Sequence, residues 1–315
     1  MSGSLSRRLL ALAISGTLAA GLVAQGAPAF AQALPGYAAS QPAPDFPDAA
    51  AAVGAFRTVL AGDDFDGLAR LLGLDPARLR ASEGVMDTFA KMRAGAGERL
   101  EVEDLSAGRK VIDIGRDLWP LPFPLVKKAD GRWAFDTGAG LDEIENRRIG
   151  ENELEVIATL RAYVDAQKLY GSADHDGDGV PEFAQKLISS PGKTDGLYWP
   201  PGQGDGDSPA GAAIDAGTLE KSRHGAGYFG YRFRILRGQG SHVAGGWYDY
   251  VINGNMIAGF GLIAWPVRYG ETGVHTFMVN QAGIVYEKDL GPDTARVVKK
   301  IRRFDPNGSW TVSEN

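Results

Sequence analysis

The most strongly patterned segment of the chain is EVIATLRAYVDAQKLY, residues 155–170. Steps of 100° along a helix gather its apolar and aromatic residues, together with one glutamine, on a single arc. That arc holds Val156, Ile157, Leu160, Tyr163, Val164, Gln167 and Tyr170. Charged residues occupy the opposite side, so the pattern predicts one long amphipathic helix. Asn152 and Glu155 have the spacing of a capping box, which predicts that the helix begins at Asn152.

Strand patterns follow this helix after a glycine- and proline-rich stretch, residues 191–211. Between residues 229 and 235, aromatic and aliphatic residues alternate with glycine and arginine, which is the period of a half-buried strand. Further strands are predicted at residues 247–253, 256–265, 275–280 and 284–288. We expect an antiparallel meander, with the long helix packed across it by its apolar arc.

The sequence before the long helix predicts helices followed by a second antiparallel sheet. Helices are expected at residues 45–60, 65–72 and 84–92, and strands at residues 109–114, 123–127 and 132–136. This order predicts an α+β protein with one domain at residues 45–137 and another at residues 138–315. Residues 32–44 are rich in Ala, Pro, Ser and Gln, which is typical of a linker.

Residues 1–31 have the features of a cleaved signal peptide. Arg7 and Arg8 precede an apolar stretch, and Ala29 and Ala31 are the small residues that a signal peptidase requires. We expect cleavage after Ala31 and release into the periplasm or the medium. One alternative is an uncleaved anchor, for which the apolar stretch falls short of the required length of about 20 residues. Another is export by the twin-arginine route.

Composition excludes several classes of function. The 315 residues include no cysteine, which rules out disulfides, thiolate zinc sites, iron–sulfur clusters, cysteine nucleophiles and the lipid-modified cysteine of a lipoprotein. The formal net charge is −6, so nothing offsets repulsion by the phosphates of nucleic acid or of an anionic membrane. We therefore expect no nucleic-acid partner and no stable membrane insertion after signal cleavage.

A calcium site is predicted in the acidic loop that follows the long helix. Its aspartates stand at positions one, three and five of a calcium-loop pattern, and Gly179 at position six permits the bend. The next carbonyl and carboxylate extend the set of oxygen ligands. The predicted ligands are Asp174, Asp176, Asp178, Val180 and Glu182.

Position twelve of the loop departs from the pattern, because Gln185 stands there in place of the bidentate carboxylate. The alternative interpretation is a solvated acidic turn that caps a helix starting near Pro181. Both interpretations place charged carboxylates at the surface, and only in the first do they bind an ion.

The sequence favours a non-catalytic protein, because it holds no complete catalytic motif. The four histidines are isolated from one another, which argues against a zinc enzyme. Ser190 and Lys193 have the spacing of a serine–lysine pair, but Pro191 and Gly192 between them predict a turn.

Two other functions stay open as alternatives. One is a hydrolase of the envelope that uses two carboxylates, Asp195 with Glu287 or Asp289, because glycosidases work with such pairs. The other is a carrier that holds a small ligand in an apolar cavity of the first domain near Trp133.

Several separated motifs resemble those of one bacterial exported family. They are KTDGLYWP at residues 193–200, YRFRIL at 231–236, FMVN at 277–280 leading into VYEKDLG at 285–291, DLWP at 117–120 and NRRIG at 146–150. Their order is similar to that of the family known as domain of unknown function 2950, over about residues 46–310. The resemblance implies export, and it implies no particular activity.

Two further resemblances concern the fold. The first domain is similar in element order to the cystatin and nuclear-transport-factor-2 folds, in which helices pack on a curved sheet. The second is similar to the globular half of type IV pilins and type II secretion pseudopilins, although no apolar assembly helix precedes it. From these features we expect an exported, soluble protein that binds or scaffolds an envelope protein or polymer, with calcium as its cofactor.

Overall fold

A computed structural model describes residues 35–204, 206–214, 219 and 222–314. The predicted α+β class is confirmed, because helices and antiparallel sheets make up the regular structure of these residues. The predicted signal peptide lies outside the described residues. In the part of the chain that is described, no helix is both long and apolar enough to cross a membrane.

The first unit consists of helices packed on a five-stranded antiparallel sheet. The helices are α1 (Ala49–Ala61), α2 (Phe65–Leu71), α3 (Pro76–Arg80) and α4 (Val85–Glu98). The strands are β1 (Leu100–Ser106), β2 (Arg109–Ile114), β3 (Trp119–Pro120), β4 (Leu125–Lys127) and β5 (Trp133–Phe135). Their order is β1-β2-β4-β5, with β3 also paired to β2. Neither α3 nor β1 was expected from the sequence.

Aromatic side chains fill the space between these helices and the sheet. Phe56 of α1 and Phe135 of β5 have ring centroids 5.9 Å apart, and Phe65 meets Phe89 edge-on at 5.3 Å. Such tilted pairs are the favoured arrangement of aromatic rings in a core. Trp133 is buried in the same cluster.

The described part of the expected linker, residues 35–44, packs against this unit. Ala39 donates its N–H to the carbonyl of Gly73, and Asp75 donates its N–H to the carbonyl of Tyr37, each at 2.9 Å. These long-range backbone bonds fix a segment whose composition alone suggests a flexible chain.

One helix, α5 (Thr137–Tyr170), takes part in both units. Asp136 caps it, because its carboxylate accepts the N–H of Ala139 at 3.0 Å. The predicted start at Asn152 is therefore wrong. Asn152 lies inside the helix, and its side-chain amide donates to the carbonyl of Thr272 at 3.0 Å.

The two ends of α5 belong to different hydrophobic clusters. Near its start, Gly140 lies against Phe123 so closely that a Cβ atom would be 2.0 Å from the ring. Farther along, every residue of the predicted arc is buried, and its apolar and aromatic members belong to a cluster that includes residues of the second sheet. The helix therefore connects two separate cores.

The second sheet is antiparallel, with strands in the order β14-β13-β12-β11-β6. These strands are β6 (Tyr231–Leu236), β11 (Gly261–Pro266), β12 (His275–Asn280), β13 (Tyr286–Asp289) and β14 (Thr311–Val312). Two short ladders join β7 (Gly238–Gln239) to β8 (Tyr248–Asp249) and β9 (Val251–Ile252) to β10 (Asn255–Met256). A short helix, α6 (Thr294–Val297), follows β13 in the chain.

The strands predicted at residues 247–253 and 256–265 are interrupted. Asn253 and Gly254 adopt positive φ angles of 53° and 98°, which turn the chain between β9 and β10. Gly259 also has a positive φ, and it separates β10 from β11. Gly259 therefore divides the second predicted strand, and the first is divided at Tyr250, between β8 and β9. The turn at Gly254 lies between the two predicted strands, where the sequence places a break.

Candidate functional site

The acidic loop after α5 brings three carboxylates together. One oxygen from each of Asp174, Asp176 and Asp178 lies within 4.8 Å of the others, and all three residues are exposed. Carboxylate oxygens are hard ligands, which suit calcium and its coordination by about six to eight oxygens. The three carboxylates fit a weak calcium site in which water completes the coordination.

Backbone hydrogen bonds hold the loop in this shape. Asp174 accepts the N–H of Gly177 at Oδ1 and that of Gly179 at Oδ2, each at 2.8 Å. Both glycines have positive φ angles, 82° and 88°, which residues with a side chain rarely adopt. The bonds from Gly179 and Gly177 lower the pKa of Asp174, so its carboxylate is charged at neutral pH.

Contacts on both sides anchor the loop. The ring of His175 stacks on Tyr170 with centroids 3.7 Å apart, and its Nε2 lies 2.9 Å from the carbonyl oxygen of Tyr170. On the other side, Asn255 Nδ2 donates to Asp178 Oδ2 at 2.5 Å. The loop is thereby tied to both α5 and β10.

Of the two outer ligands of the predicted calcium site, Glu182 has another partner. Glu182 accepts the N–H of Met256 at 3.3 Å and does not belong to the group of three carboxylates. Val180 contributes its N–H, which donates to Asp178 Oδ1 at 2.8 Å. The structure therefore brings together the first three predicted ligands and places the Glu182 carboxylate against β10.

The segment after the loop is not helical. Residues 181–184 carry no regular structure, so no helix begins near Pro181. Gln185 donates to the carbonyl of Gly254 at 2.6 Å, and Phe183 packs edge-on against Phe260. This segment links the acidic loop to the second core.

A second candidate site is an apolar groove between α5 and the second sheet. Its volume is about 450 Å³, which falls within the range of about 300–1,000 Å³ that is typical of ligand pockets. Its wall is mostly aromatic and aliphatic, and includes Ala162, Tyr163, Leu187, Tyr231, Phe233 and Leu262. No local sequence pattern marks this groove, because its wall comes from four separate parts of the chain: α5, the segment around Leu187, the segment leading into β6, and β11.

A partly buried glutamate of α5, Glu153, fixes one wall of the groove. The hydroxyl of Tyr231 lies 3.2 Å from Glu153 Oε1 and donates to the carbonyl of His275 at 3.0 Å. Glu153 Oε1 also accepts the N–H groups of Val274 and His275, at 2.8 and 2.9 Å. Its Oε2 lies 3.0 Å from His275 Nδ1.

Glu153 and His275 are held as an ion pair. Desolvation by burial opposes the charge of Glu153, but the hydrogen bonds from His275 and Val274 outweigh it and lower the pKa of Glu153. The hydrogen bond to Glu153 in turn raises the pKa of His275. No local sequence pattern marks this pair, because its members lie far apart in the chain.

The carboxylates considered for hydrolysis have separate environments. Asp195 accepts hydrogen bonds from Lys186 Nζ at 2.6 Å and from the N–H of Ser190 at 2.8 Å. Burial opposes the charge of Asp195, but these bonds lower its pKa to about 2. Glu287 and Asp289 lie on β13. Asp195 is therefore held as the partner of a lysine.

The turn predicted between Ser190 and Lys193 is confirmed, because Lys193 donates its N–H to the carbonyl of Ser190 at 3.0 Å. The histidines whose side chains are described also have separate partners. His242 Nδ1, for example, lies 3.0 Å from Asp305 Oδ2. His175 contacts Tyr170, and His275 pairs with Glu153.

In the first unit, a cavity of about 530 Å³ lies between α1 and α4. Two arginines line it. Arg57 donates to the carbonyl of Leu100 at 3.1 Å, and Arg93 donates to the carbonyl of Leu60 at 3.0 Å. This cavity lies between two helices, whereas Trp133, near which the alternative carrier function places a ligand cavity, is buried in the core.

Comparison with known proteins identifies a family. A search of curated proteins and a search of solved structures each gave no significant match. A family model described as "Protein of unknown function (DUF2950)" matches residues 44–312, which include all the described α-helices and strands of both units. The chain therefore belongs to the DUF2950 family.

Proposed function

We propose that the protein is an exported, non-catalytic protein of the cell envelope that binds a small amphipathic molecule in the apolar groove. The observation that carries this proposal is the groove of about 450 Å³ and its aromatic and aliphatic wall. Burial of apolar ligand surface is worth about 25 cal/mol per Å². Arg232 adds a charged group beside that wall, which suits a ligand with both an apolar and a polar part.

Preorganised walls support the same proposal. Tyr231 is held by Glu153, and the hydroxyl of Tyr163 donates to the carbonyl of Gly261 at 3.1 Å. Gln167 donates to the same hydroxyl at 3.0 Å. Because the wall is fixed before binding, fewer side chains must be ordered when a ligand binds. The entropic cost of binding is therefore lower, and a small site can still bind its ligand.

Filling the groove tests this proposal. We expect the protein to bind the neutral fluorophore N-phenyl-1-naphthylamine and to enhance its fluorescence. Ala162 lines the groove from α5, so Ala162→Trp should abolish most of this enhancement by occupying the space.

The matched control is Ala158→Trp, one helical turn earlier on the exposed surface of α5. This variant should bind the fluorophore like the wild type. Absence of fluorophore binding by the wild type, or equal binding by both variants, contradicts a ligand site in the groove.

We propose calcium as a stabilising ion of the acidic loop. Three exposed carboxylates already lie together there, and backbone bonds hold the loop without an ion. Few fixed ligands imply weak binding, at about the 0.1–1 mM affinity of extracellular calcium modules.

Export and the finer fold resemblances belong to the same proposal. We infer release of the mature chain after signal cleavage and a division into two domains near residue 137, which the two separate hydrophobic clusters support. A pilin-like second domain is supported by the packing of α5 on an antiparallel sheet. The helices and sheet of the first unit similarly favour a cystatin-like or nuclear-transport-factor-2-like domain.

A further inference from the structure

The apolar groove shares two of its wall residues with a basic cleft. Leu187 and Phe233 line both cavities, and the cleft also has a volume of about 450 Å³. Its charge comes from Arg234, Arg237 and Arg302, and no aspartate or glutamate lines it among the described residues. The cleft lies along β6, which is the edge strand of the second sheet.

Arg234 is the fixed cation of the cleft. Its Nη2 donates to the carbonyl oxygens of Val298, at 2.8 Å, and of Ile301. Its guanidinium carbon lies 5.5 Å from the centre of the Trp265 ring, within the range of a cation–π contact. Burial, and then the charge of Arg302, lower the pKa of Arg234. The cleft therefore concentrates positive charge that an anion would stabilise.

The other two arginines are available to a ligand. Arg237 and Arg302 are exposed, and neither makes a side-chain hydrogen bond or ion pair with another described residue. The neighbouring Arg303, by contrast, pairs with Asp249 at 2.5 Å. The chain as a whole is acidic, with a net charge of −6, yet no carboxylate neutralises the arginines of this cleft. Such a group of arginines favours binding of an anion from solution.

We propose that the groove and the cleft form one site for an amphiphile with a phosphate head group. The apolar chain lies in the groove, and the phosphate is bound by Arg237 and Arg302 beside Arg234. This inference rests on the proposed function, because the groove must first accept an apolar chain. It adds the chemical class of the head group.

Guanidinium chemistry favours phosphate as that head group. Its planar array of N–H donors binds two oxygens of a phosphate or a carboxylate at once. A phosphate offers more oxygens and a charge of up to two, so it can engage two arginines together. The common wall of Leu187 and Phe233 places such a head directly beside the apolar chain.

The experiment compares dodecyl phosphate, dodecanoate and dodecanol as competitors of bound N-phenyl-1-naphthylamine, each below its aggregation concentration. Dodecyl phosphate should compete best with the wild-type protein. The double variant Arg237→Gln/Arg302→Gln should weaken its competition about tenfold or more, while competition by dodecanol stays unchanged. The matched control is Lys299→Gln/Lys300→Gln, which removes two exposed charges that do not line the cleft.

Each other outcome has a distinct meaning. If the wild type binds neither the fluorophore nor any competitor, the groove itself fails, and the proposed function fails with it. If all three competitors bind equally, or if both double variants lose the same affinity, the groove stands and the phosphate site is overturned. Preference for dodecanoate over dodecyl phosphate also overturns the choice of phosphate. Inorganic phosphate alone should not displace the fluorophore, because it lacks the chain that occupies the groove; displacement as strong as that by dodecyl phosphate overturns the joint site.

Discussion

The carboxylate of Glu153, on α5, contacts both His275 of β12 and the Tyr231 hydroxyl in the wall of the groove. It accepts bonds from two N–H groups and faces His275 Nδ1, and its side chain is only 16% exposed. A charge in such a place is stable only while its partners remain, because desolvation is otherwise uncompensated. The pair of Glu153 and His275 should therefore contribute to stability over a limited range of pH.

The two shifted pKa values define that range. The pKa of His275 is raised above 6.5 by Glu153, with further contributions from Glu287 and Asp289, so its stabilisation is complete below pH 6.5 and is lost as pH rises through the raised pKa. The pKa of Glu153 is lowered below 4.5, so its stabilisation is complete above pH 4.5 and is lost on further acidification. The pair should contribute fully between these limits.

Replacing His275 by glutamine should reveal this dependence. At about pH 5.5, His275→Gln should lower the free energy of unfolding by about 1–2 kcal/mol, because it removes a charge-assisted hydrogen bond. The deficit should shrink toward about pH 9, where the wild-type pair is also lost. Urea unfolding at several pH values measures this difference.

The exposed pair of His242 and Asp305 supplies the control, since His242→Gln should change stability little. A deficit for His275→Gln that is constant with pH contradicts the assignment of the ion pair.

Among the secondary-structure elements, α5 couples the two cores, and two of its glycines have opposite surroundings. A Cβ atom at Gly140 would overlap the Phe123 ring, whereas nothing lies within 4 Å of a Cβ atom at Gly150. Gly140→Ala should therefore destabilise the protein by about 1–3 kcal/mol. Gly150→Ala should stabilise it by about 0.5–1 kcal/mol, because alanine favours the helix. Urea unfolding of both variants measures these changes, and destabilisation of similar size in each contradicts the close packing at Gly140.

Only the second half of α5 could be predicted from the sequence. After Val156 the apolar residues recur on one arc, because that face packs on a sheet. Before it, the buried positions include Gly140 and the charged Glu145, so contact is made by close backbone approach without an apolar stripe. Strand β1 was missed for a related reason, because nearly all of its residues are exposed.

The candidate sites differ in the same way. The acidic loop could be predicted because its carboxylates are neighbours in the chain, and local hydrogen bonds set their spacing. The groove and the arginine cleft could not be predicted. Their walls join α5, β6 and the segment around Leu187, and only tertiary packing brings these together.

Calcium should stabilise the fold through the acidic loop. At a concentration about ten times the dissociation constant, binding adds about 1.4 kcal/mol, which corresponds to an increase of about 2–5 °C in Tm for a chain of this size. Asp176→Ala should abolish this increase. Asp165→Ala, which removes an exposed carboxylate of α5, should retain it. Thermal unfolding with calcium and with a chelator measures both, and an equal increase in the two variants contradicts the site.

For the molecule as a whole, the arrangement of charge and apolar surface matters more than the net charge. The chain is acidic, yet the basic cleft adjoins the apolar groove and shares its wall. Excess negative charge elsewhere should disfavour nucleic acid, whereas the cleft should attract a small anion at short range. In the proposed site, this combination should select an amphiphile of modest size, because neither cavity alone recognises both parts of such a ligand.

If the protein is exported, the chain that carries this site in the cell should be the mature one, without its signal peptide. Residues 29–31 place alanine at the first and third positions before the expected cleavage, where the signal peptidase requires small residues. Expressed with a C-terminal tag in a bacterium with an envelope, the protein should appear in the osmotic-shock fraction or the medium with Gln32 at its N-terminus. Ala31→Tyr should block cleavage and keep the precursor with the membrane, whereas Ala33→Tyr, beyond the cleavage point, should not. Sequencing the N-terminus distinguishes these results, and an intact Met1 in the wild-type protein contradicts cleavage.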